Sequence, residues 1–377
     1  MGGHIQALGI SRIAKQCKIY THIIDQEALC LTRFSSSCDK FSKYIDENHL
    51  KKILLNNNYI PYSSIILPTN DKMAKFLADN LADLKEKYFL PINDPEIIDI
   101  CINKRETYKS AQSNGIPIPD TYFPDDLIQI NELKSHLIYP VIIKPAIMHS
   151  FFEKTKKKAY MCNNEDELIN NYKKAILIIP KDEIIIQEYL PGEGKNLFSF
   201  CSLSINGEIY GSFIANRIRQ NPMDFGKSTT FAISQVNERL NQLGKEFLKS
   251  INYYGLSEVE FMYDNKSKDY KLLEINPRTW KWHTLAKKLD VNLIKMFIDH
   301  LNKDIVEKKI NNKEGIAWID DITDLYISLL EIFKGKMKLY EYFDTMKLNK
   351  EHACWDIKDP LPFIMYILLI PYFLFRR

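Results

Sequence analysis

Two short stretches bring carboxylates and an amide together at strand spacing. One reads Glu258-Val259-Glu260-Phe261, the other Leu272-Leu273-Glu274-Ile275-Asn276-Pro277-Arg278. Side chains alternate faces along a strand, so Glu274 and Asn276 share one face. Leu273 and Ile275 then point the other way, into the core. Glu260 on a partner strand can lie beside the pair. Two carboxylates and an amide oxygen on one sheet face form a hard-oxygen set suited to Mg²⁺, which keeps waters and phosphate oxygens as its other ligands. The bland alternative is a solvated face of ordinary charges, and the apolar flanks argue against it.

Phosphate oxygens call for cations, and several stand at suitable places. Lys144 ends an apolar strand and is followed by Pro145. As a point charge it can reach phosphate oxygens. Lys104 sits on a helix before an extended linker. Arg217 and Arg219 follow a strand and can neutralise a transferring phosphoryl group. The stretch Gln187-Glu188-Tyr189-Leu190-Pro191-Gly192-Glu193 reads as a strand running into a turn. Such an edge can offer backbone groups to an adenine and a carboxylate to a ribose. Taken singly, each cation is more often a surface charge than a ligand.

The elements that must position these residues follow from periodicity and punctuation. Gly2-Gly3 through Gly9 read as a glycine turn entering a helix. Strands are predicted at 18–25 and 63–68, and a helix from 70 to 88 with Asn70 as N-cap. This alternation predicts a small parallel α/β unit. Asp94-Pro95 opens a helix over 94–114 that Gly115 ends. Strands at 139–146 and 182–190 flank a helix at 165–175. A hairpin over 197–217 turns at Asn206-Gly207, the favoured two-residue hairpin turn. A helix at 237–254, a second hairpin at 257–275 and a helix at 285–301 complete the pattern. The organisation expected is three units: 1–92, 93–302 and 303–377.

Bulk properties narrow the function. Of 377 residues, 45% are hydrophobic and 26% charged, as in folded globular proteins. A net charge of +3 without a dense basic block argues against nucleic acid as the main partner. The sharpest basic run is Lys154, Lys156, Lys157 and Lys158. The seven cysteines show no Cys-x-x-Cys pair and no zinc-site spacing with histidine, so reduced thiols in the cytoplasm are expected. No Ser/His/Asp or Cys/His signature marks a protein nucleophile. Residues 361–375 are apolar, with prolines at 362 and 371. They fall short of the ~20 residues of a membrane span. They read as a final helix on the core or as an interfacial foot on the inner membrane face, with Arg376 and Arg377 at the headgroups.

Taken in order, Lys104, Val141-Ile-Ile-Lys144-Pro, Ile186-Gln-Glu-Tyr-Leu-Pro-Gly-Glu193, Val259-Glu260-Phe261 and Leu273-Glu-Ile-Asn-Pro-Arg278 resemble the ATP-grasp superfamily. The stretch Arg217-Ile-Arg-Gln-Asn-Pro-Met-Asp-Phe-Gly226, with Trp280 and His283, is similar to a narrower branch of carboxylate–amine ligases related to D-aspartate ligase. The resemblance runs over about residues 1 to 300 and continues through 317–321 and 355–360. It implies an α/β (α+β) ATP-grasp fold behind an N-terminal parallel α/β domain. It also implies ATP with Mg²⁺ or Mn²⁺, and small carboxylate and amine substrates joined through an acyl phosphate. Lys104 and Lys144 would hold phosphates. Gln187, Glu188, Tyr189 and Leu190 would line the adenine site, and Glu193 would meet the ribose. Glu260, Glu274 and Asn276 would bind metal. Arg278, Arg219 and Arg217 would steady the transferred phosphoryl group. A homo-oligomer fits the same family.

Two departures stand out. The usual first strand of the N-terminal domain is absent, and the loop 146–158 has no glycine where many relatives close a glycine-rich flap. Two rival readings exist. A dinucleotide-dependent enzyme would rest on Gly2, Gly3 and Gly9, but it leaves Glu260, Glu274 and Asn276 unexplained. A catalytically inactive ATP-binding protein would keep the fold alone. His283 reads as a packed histidine or as a substrate contact.

Overall fold

The computed structural model describes residues 1–377 except 57, 58, 224, 225, 227, 305, 376 and 377; the side chains of 148–150, 193 and 373–375 are also outside it. Asp224, Phe225, Arg376 and Arg377, all drawn on above, therefore lie outside the described residues.

The largest element is an eight-stranded sheet. Its order is Asp269–Asn276, Gly255–Asp264, Leu197–Ile205, Glu208–Asn221, Ser228–Gln235, Ala317–Ile319 and Lys350–His352, with Lys309–Ile310 paired to Glu208–Asn221. The first five strands are antiparallel neighbours. Their first hairpin turns at Asn206 and Gly207, with φ of 50° and 77°. Both central residues need positive φ in this turn, which Asn and Gly tolerate best. The strand from Glu208 runs on to Asn221, past the expected end at Arg217. The helix Glu238–Ser250, capped by Asn237, lays Leu243 and Phe247 on Phe200, Val259 and Phe261.

A second, four-stranded sheet has the order Thr121–Tyr122, Ile184–Glu188, Val141–Pro145 and Tyr160–Cys162. The helix Glu165–Ala175, where the sequence placed it, caps with Asn164 and packs Leu168 and Tyr172 beneath this sheet. A cleft opens between the two sheets.

Three helices expected as single rods are broken. The 94–114 rod splits into Pro95–Ile102 and Lys104–Ser113. Asn103 turns to an extended conformation, and its side chain accepts the Arg105 N–H at 3.0 Å. Local side-chain bonds of this kind compete with helix continuation. The break makes Lys104 the first helical residue, and its N–H donates to Ala146 O at 3.0 Å. The 70–88 rod ends at Asp79, and a short turn follows at Leu81–Leu84. Tyr88 instead joins a parallel strand pair, Ser64–Ile65 with Tyr88–Phe89. The 285–301 rod divides at Asp290, which has a φ of 57°.

The N-terminal segment holds two parallel strand pairs, the second being His22–Asp25 with Lys40–Lys43. Met1 and Gly2 bridge them. Gly2 N donates to Ile24 O at 2.9 Å, Thr69 N to Met1 O at 3.2 Å, and the Met1 amine to Leu67 O at 2.6 Å. The glycines of the dinucleotide reading face side chains. A Cβ on Gly3 would meet Cys30 Sγ at 2.3 Å, and one on Gly9 would meet Thr284 Cγ2 at 2.4 Å. The seven cysteines form no disulfide.

The chain end forms two short helices, Leu361–Leu368 and Ile370–Phe375. Phe363 and Tyr366 pack on the main core, and Asp359 binds Arg12 at 3.0 Å. No helix among the described residues is long and apolar enough to cross a membrane.

Candidate active site

The cleft between the sheets has about 980 Å³ of empty space and opens to solvent. One wall is apolar: Ile142, Leu190, Leu197, Met262 and Leu273. Such a wall suits a planar base. The other end is charged. Lys104, Lys144, Lys158 and Arg217 face Glu260 and Glu274 there.

The carboxylates are brought together by strand register. Glu260 pairs directly with Glu274, and Glu258 with Asn276. Between Glu260 and Phe261 the register shifts, and Leu272 becomes the partner of Phe261. The bulge turns Leu273 to the cleft, where it packs on Leu190, Leu197 and Met262. The expectation that Leu273 points into the core is therefore corrected, and Leu272 fills that place. A bulge inserts one residue and breaks the two-residue alternation on which the expectation rested.

Each candidate metal carboxylate already holds a cation. Lys104 Nζ lies 2.6 Å from Glu274 Oε2, and Arg217 is paired with Glu260. Burial alone would raise the Glu274 carboxyl, but Lys104 and Lys158 outweigh it and hold it below the usual carboxylate range. For Lys104, burial is likewise outweighed by Glu274, and its ammonium is stabilised. Lys144 has no such partner. Its Nζ donates to Tyr108 OH at 2.6 Å, and burial with the neighbouring Lys104 charge pulls it well below the lysine range. A nearby anion would favour its charged form.

Asn276 sits inside a hydrogen-bond chain. Its Nδ2 donates to Glu258 Oε2 at 3.1 Å and to Glu260 Oε1 at 3.2 Å. Its Oδ1 accepts from Arg278 Nη2 at 2.8 Å. Arg278 Nε reaches Asp71 at 2.7 Å, so the chain ends on the N-terminal unit. Ligation of a cation by Oδ1 needs a half-turn of this amide. Among the described residues no group of three His, Cys, Asp or Glu is placed to hold a metal. Two carboxylates and one amide oxygen fit Mg²⁺ only with phosphate oxygens and waters completing its shell.

Gln187, Glu188, Tyr189 and Leu190 all line the cleft. The Glu188 N–H is bonded to Asp120 O and the Tyr189 N–H to Pro140 O. The Glu188 carboxylate is paired with Lys271 at 2.7 Å. The Glu193 side chain lies outside the described part of the structure.

Arg219 departs from expectation. It does not line the cleft. Its Nε and Nη2 donate to Asp324 at 2.9 and 2.7 Å, and its Nη1 to Thr345 at 3.2 Å. Register shifts on both sides of Arg219 put it out of step with Arg217 and Gln220, which do face the cleft. Arg278 is not a lining residue either; it stands behind Asn276. His283 is packed: its Nε2 meets Gln6 O at 3.0 Å and burial lowers it to about 4.

The glycine-free loop becomes the helix Met148–Thr155. Of the basic run that follows, Lys158 alone among the described residues lines the cleft, and its Nζ donates to Gly226 O at 2.6 Å. Gly226 is required there, since a Cβ would fall 2.3 Å from Pro222 O. Lys154 turns away to Ile178 O. Glu258, Tyr108, Gln220 and Met262 escaped the sequence reading. Glu258 was within reach of it, standing two residues before Glu260 on the same strand face. It accepts from Ser199 Oγ at 3.0 Å, and burial beside Glu260 pushes its carboxyl up to about 8.

The sheet-bounded cleft with cations over paired carboxylates fits the ATP-grasp nucleotide site that the motif resemblance implies. Residues 104–298 match the model of the carbamoyl-phosphate synthase L chain ATP binding domain, and the chain belongs to that family. It is similar to D-aspartate ligase from Enterococcus faecium (strain Aus0004), at 22% identity over 253 residues, 64% of this chain. It spans 60% of that relative's length. The fold is shared with N5-carboxyaminoimidazole synthetase from Staphylococcus aureus complexed with ADP (TM-score 0.62, 17% identity, 82% of this chain and 77% of that one). It is shared too with the biotin carboxylase domain dimer of Hydrogenobacter thermophilus 2-oxoglutarate carboxylase, in complex with MgADP, ADP and bicarbonate (TM-score 0.64, 16% identity, 81% and 69%).

Proposed function

We propose that this chain is an ATP- and Mg²⁺-dependent ligase that activates a carboxylate as an acyl phosphate and passes it to an amine. The observation that carries this reading is the convergence of Lys104, Lys144, Lys158 and Arg217 on Glu260 and Glu274 in one cleft. The proposed units are 1–92, 93–302 and 303–377. The cleft falls wholly within the middle one.

In this reading the apolar wall holds the adenine beside residues 187–190. Lys144 and Lys104 hold phosphates, Lys104 leaving Glu274 to do so. Glu260, Glu274 and a turned Asn276 would hold Mg²⁺ or Mn²⁺. The cation, when bound, supplies positive charge against the β- and γ-phosphates. Arg217, released from Glu260, stands beside the transferring group, and charge placed in advance costs no reorganisation during the reaction. The substrate carboxylate attacks the γ-phosphorus and expels ADP, and the amine then displaces phosphate from the acyl carbon and gives up a proton. No protein nucleophile is needed. Arg278 acts by holding Asn276 and tying the site to Asp71. Use of ATP supports a cytoplasmic location for the reaction.

The similarity to D-aspartate ligase puts aspartate and other amino acids first among donors to try. The test is ADP release from ATP and Mg²⁺ across a panel of carboxylates, with and without amines. Release that depends on a specific acid–amine pair supports the reading. ATP binding with no release for any pair favours an inactive nucleotide-binding protein. No ATP binding overturns both.

A further inference from the structure

The helix Asp321–Phe333 is mounted with its polar side inward. Asp324, Ser328 and Glu331 are buried together with Ile327, while Leu325, Tyr326, Leu329 and Phe333 are 46%, 58%, 53% and 92% exposed. A surface helix ordinarily buries its apolar stripe. This one cannot roll over. Asp324 is held by both Arg219 bonds and by Thr230 Oγ1 at 2.8 Å, all in the interior. Turning the helix would strand the buried Arg219 charge.

The following helix, Leu339–Met346, extends the same pattern, with Leu339, Tyr340 and Phe343 exposed. Arg219 clamps it as well, through Thr345, and stacks near Tyr342. The turn between the helices reads Lys334-Gly335-Lys336-Met337-Lys338, three cations directly beside Phe333, Leu339 and Tyr340; Lys334 is paired with Glu331 at 2.9 Å, and the Lys338 N–H meets Glu341 at 3.0 Å. Among the described residues, seven large hydrophobics are exposed between 325 and 343. Scattered exposed apolar residues are ordinary, but a concentration on one segment marks a contact surface.

We propose that this helical hairpin is a docking face for an anionic lipid bilayer, with Phe333, Leu329, Leu339 and Phe343 entering the headgroup region and the three lysines meeting lipid phosphates. The charge of the turn selects the occupant: an apolar face edged by lysines gains from both the hydrocarbon boundary and the negative surface potential. Among the described residues no helix is long and apolar enough to span, so the contact proposed is interfacial. This face adjoins the helix Leu361–Leu368, whose Tyr366 hydroxyl meets Thr323 at 2.8 Å, and none of its residues lines the ATP cleft.

The test uses the full chain and sedimentation with phosphatidylcholine vesicles, with and without phosphatidylglycerol. Wild type should pellet with the anionic vesicles, and salt should release it. Leu329→Glu with Phe333→Glu, and separately Lys334→Glu with Lys336→Glu and Lys338→Glu, should each cut the bound fraction by about tenfold or more. Unchanged thermal unfolding would show that the variants fold. Failure to bind anionic vesicles would overturn the proposal. So would binding indifferent to both sets of variants, or a vesicle-free dimer that the Phe333→Glu change dissociates.

Discussion

Lys104 Nζ stands 2.6 Å from Glu274 Oε2, so the first helical residue after the Asn103 break neutralises a carboxylate expected to face a metal. Arg217 does the same for Glu260. The cleft thus holds its opposite charges against each other. A nucleotide with its cation can exchange them, phosphates taking the lysine and arginine while the cation takes the carboxylates.

Glu274→Gln removes one charge with little change of shape. ADP release should fall by about two orders of magnitude or more, as for other preorganised electrostatic groups. The variant should stay folded. Losing the partner of Lys104 should cost about 1–2 kcal/mol, discounted because Glu274 is 30% exposed. Turnover within twofold of wild type would remove Glu274 from the site. Chelation of divalent cations should silence wild type, and added Mg²⁺ should restore it.

Arg219 and Asp324 should behave as a structural pair. Either changed alone to alanine should destabilise by about 3–5 kcal/mol, because a buried charge loses its partner. The double change Arg219→Met, Asp324→Leu should cost less than the sum of the single changes. Its ADP release per folded molecule should stay within about tenfold of wild type, since neither residue lines the cleft. A loss comparable to Glu274→Gln would return Arg219 to the catalytic set.

Gly9→Ala pits two effects against each other. Alanine in a helix gains about 1 kcal/mol over glycine. Here the new methyl would sit 2.4 Å from Thr284 Cγ2 and 2.8 Å from His283 Nε2. Overpacking of that kind costs about 1–3 kcal/mol, and the backbone of Gly9 is in the interior of Ile5–Gln16 and cannot give way freely. Chemical denaturation should therefore show a net loss; a net gain would mean the junction is looser than its distances indicate.

Burial holds the His283 imidazole down, from 6.5 to about 4. The folded chain then carries fewer protons than the unfolded chain between these values. Stability is full above the unfolded value and is lost as pH falls toward about 4. A shift of this size corresponds to about 3 kcal/mol. His22, half-buried and also lowered to about 4, adds in the same direction, whereas Glu258, raised to about 8, opposes it at higher pH. Comparing wild type with His283→Asn isolates the histidine: the variant should lose less stability between pH about 7 and about 4.5. Equal losses would show that His283 is not the titrating group.

The sequence by itself marked the main strands and helices between 94 and 301 and several of the residues that meet in the cleft. Alternation placed Glu260, Glu274 and Asn276 on one sheet face, and Asn206-Gly207 fixed the hairpin that carries the sheet. Asn70 and Asn237 marked helix starts that the structure keeps. These signals are local: they lie within a few residues and repeat with the period of the element. Tertiary structure decided what local pattern does not encode. A bulge after Glu260 turned Leu273 into the cleft, and register shifts around Arg219 sent it to Asp324, 105 positions along the chain. Asn103 broke a helix that apolar periodicity drew as continuous, and so aimed Lys104. The partners that decide these outcomes are distant in sequence, and a side chain's direction at a bulge or a cap is set by the group it meets there, which no spacing rule along one chain can name.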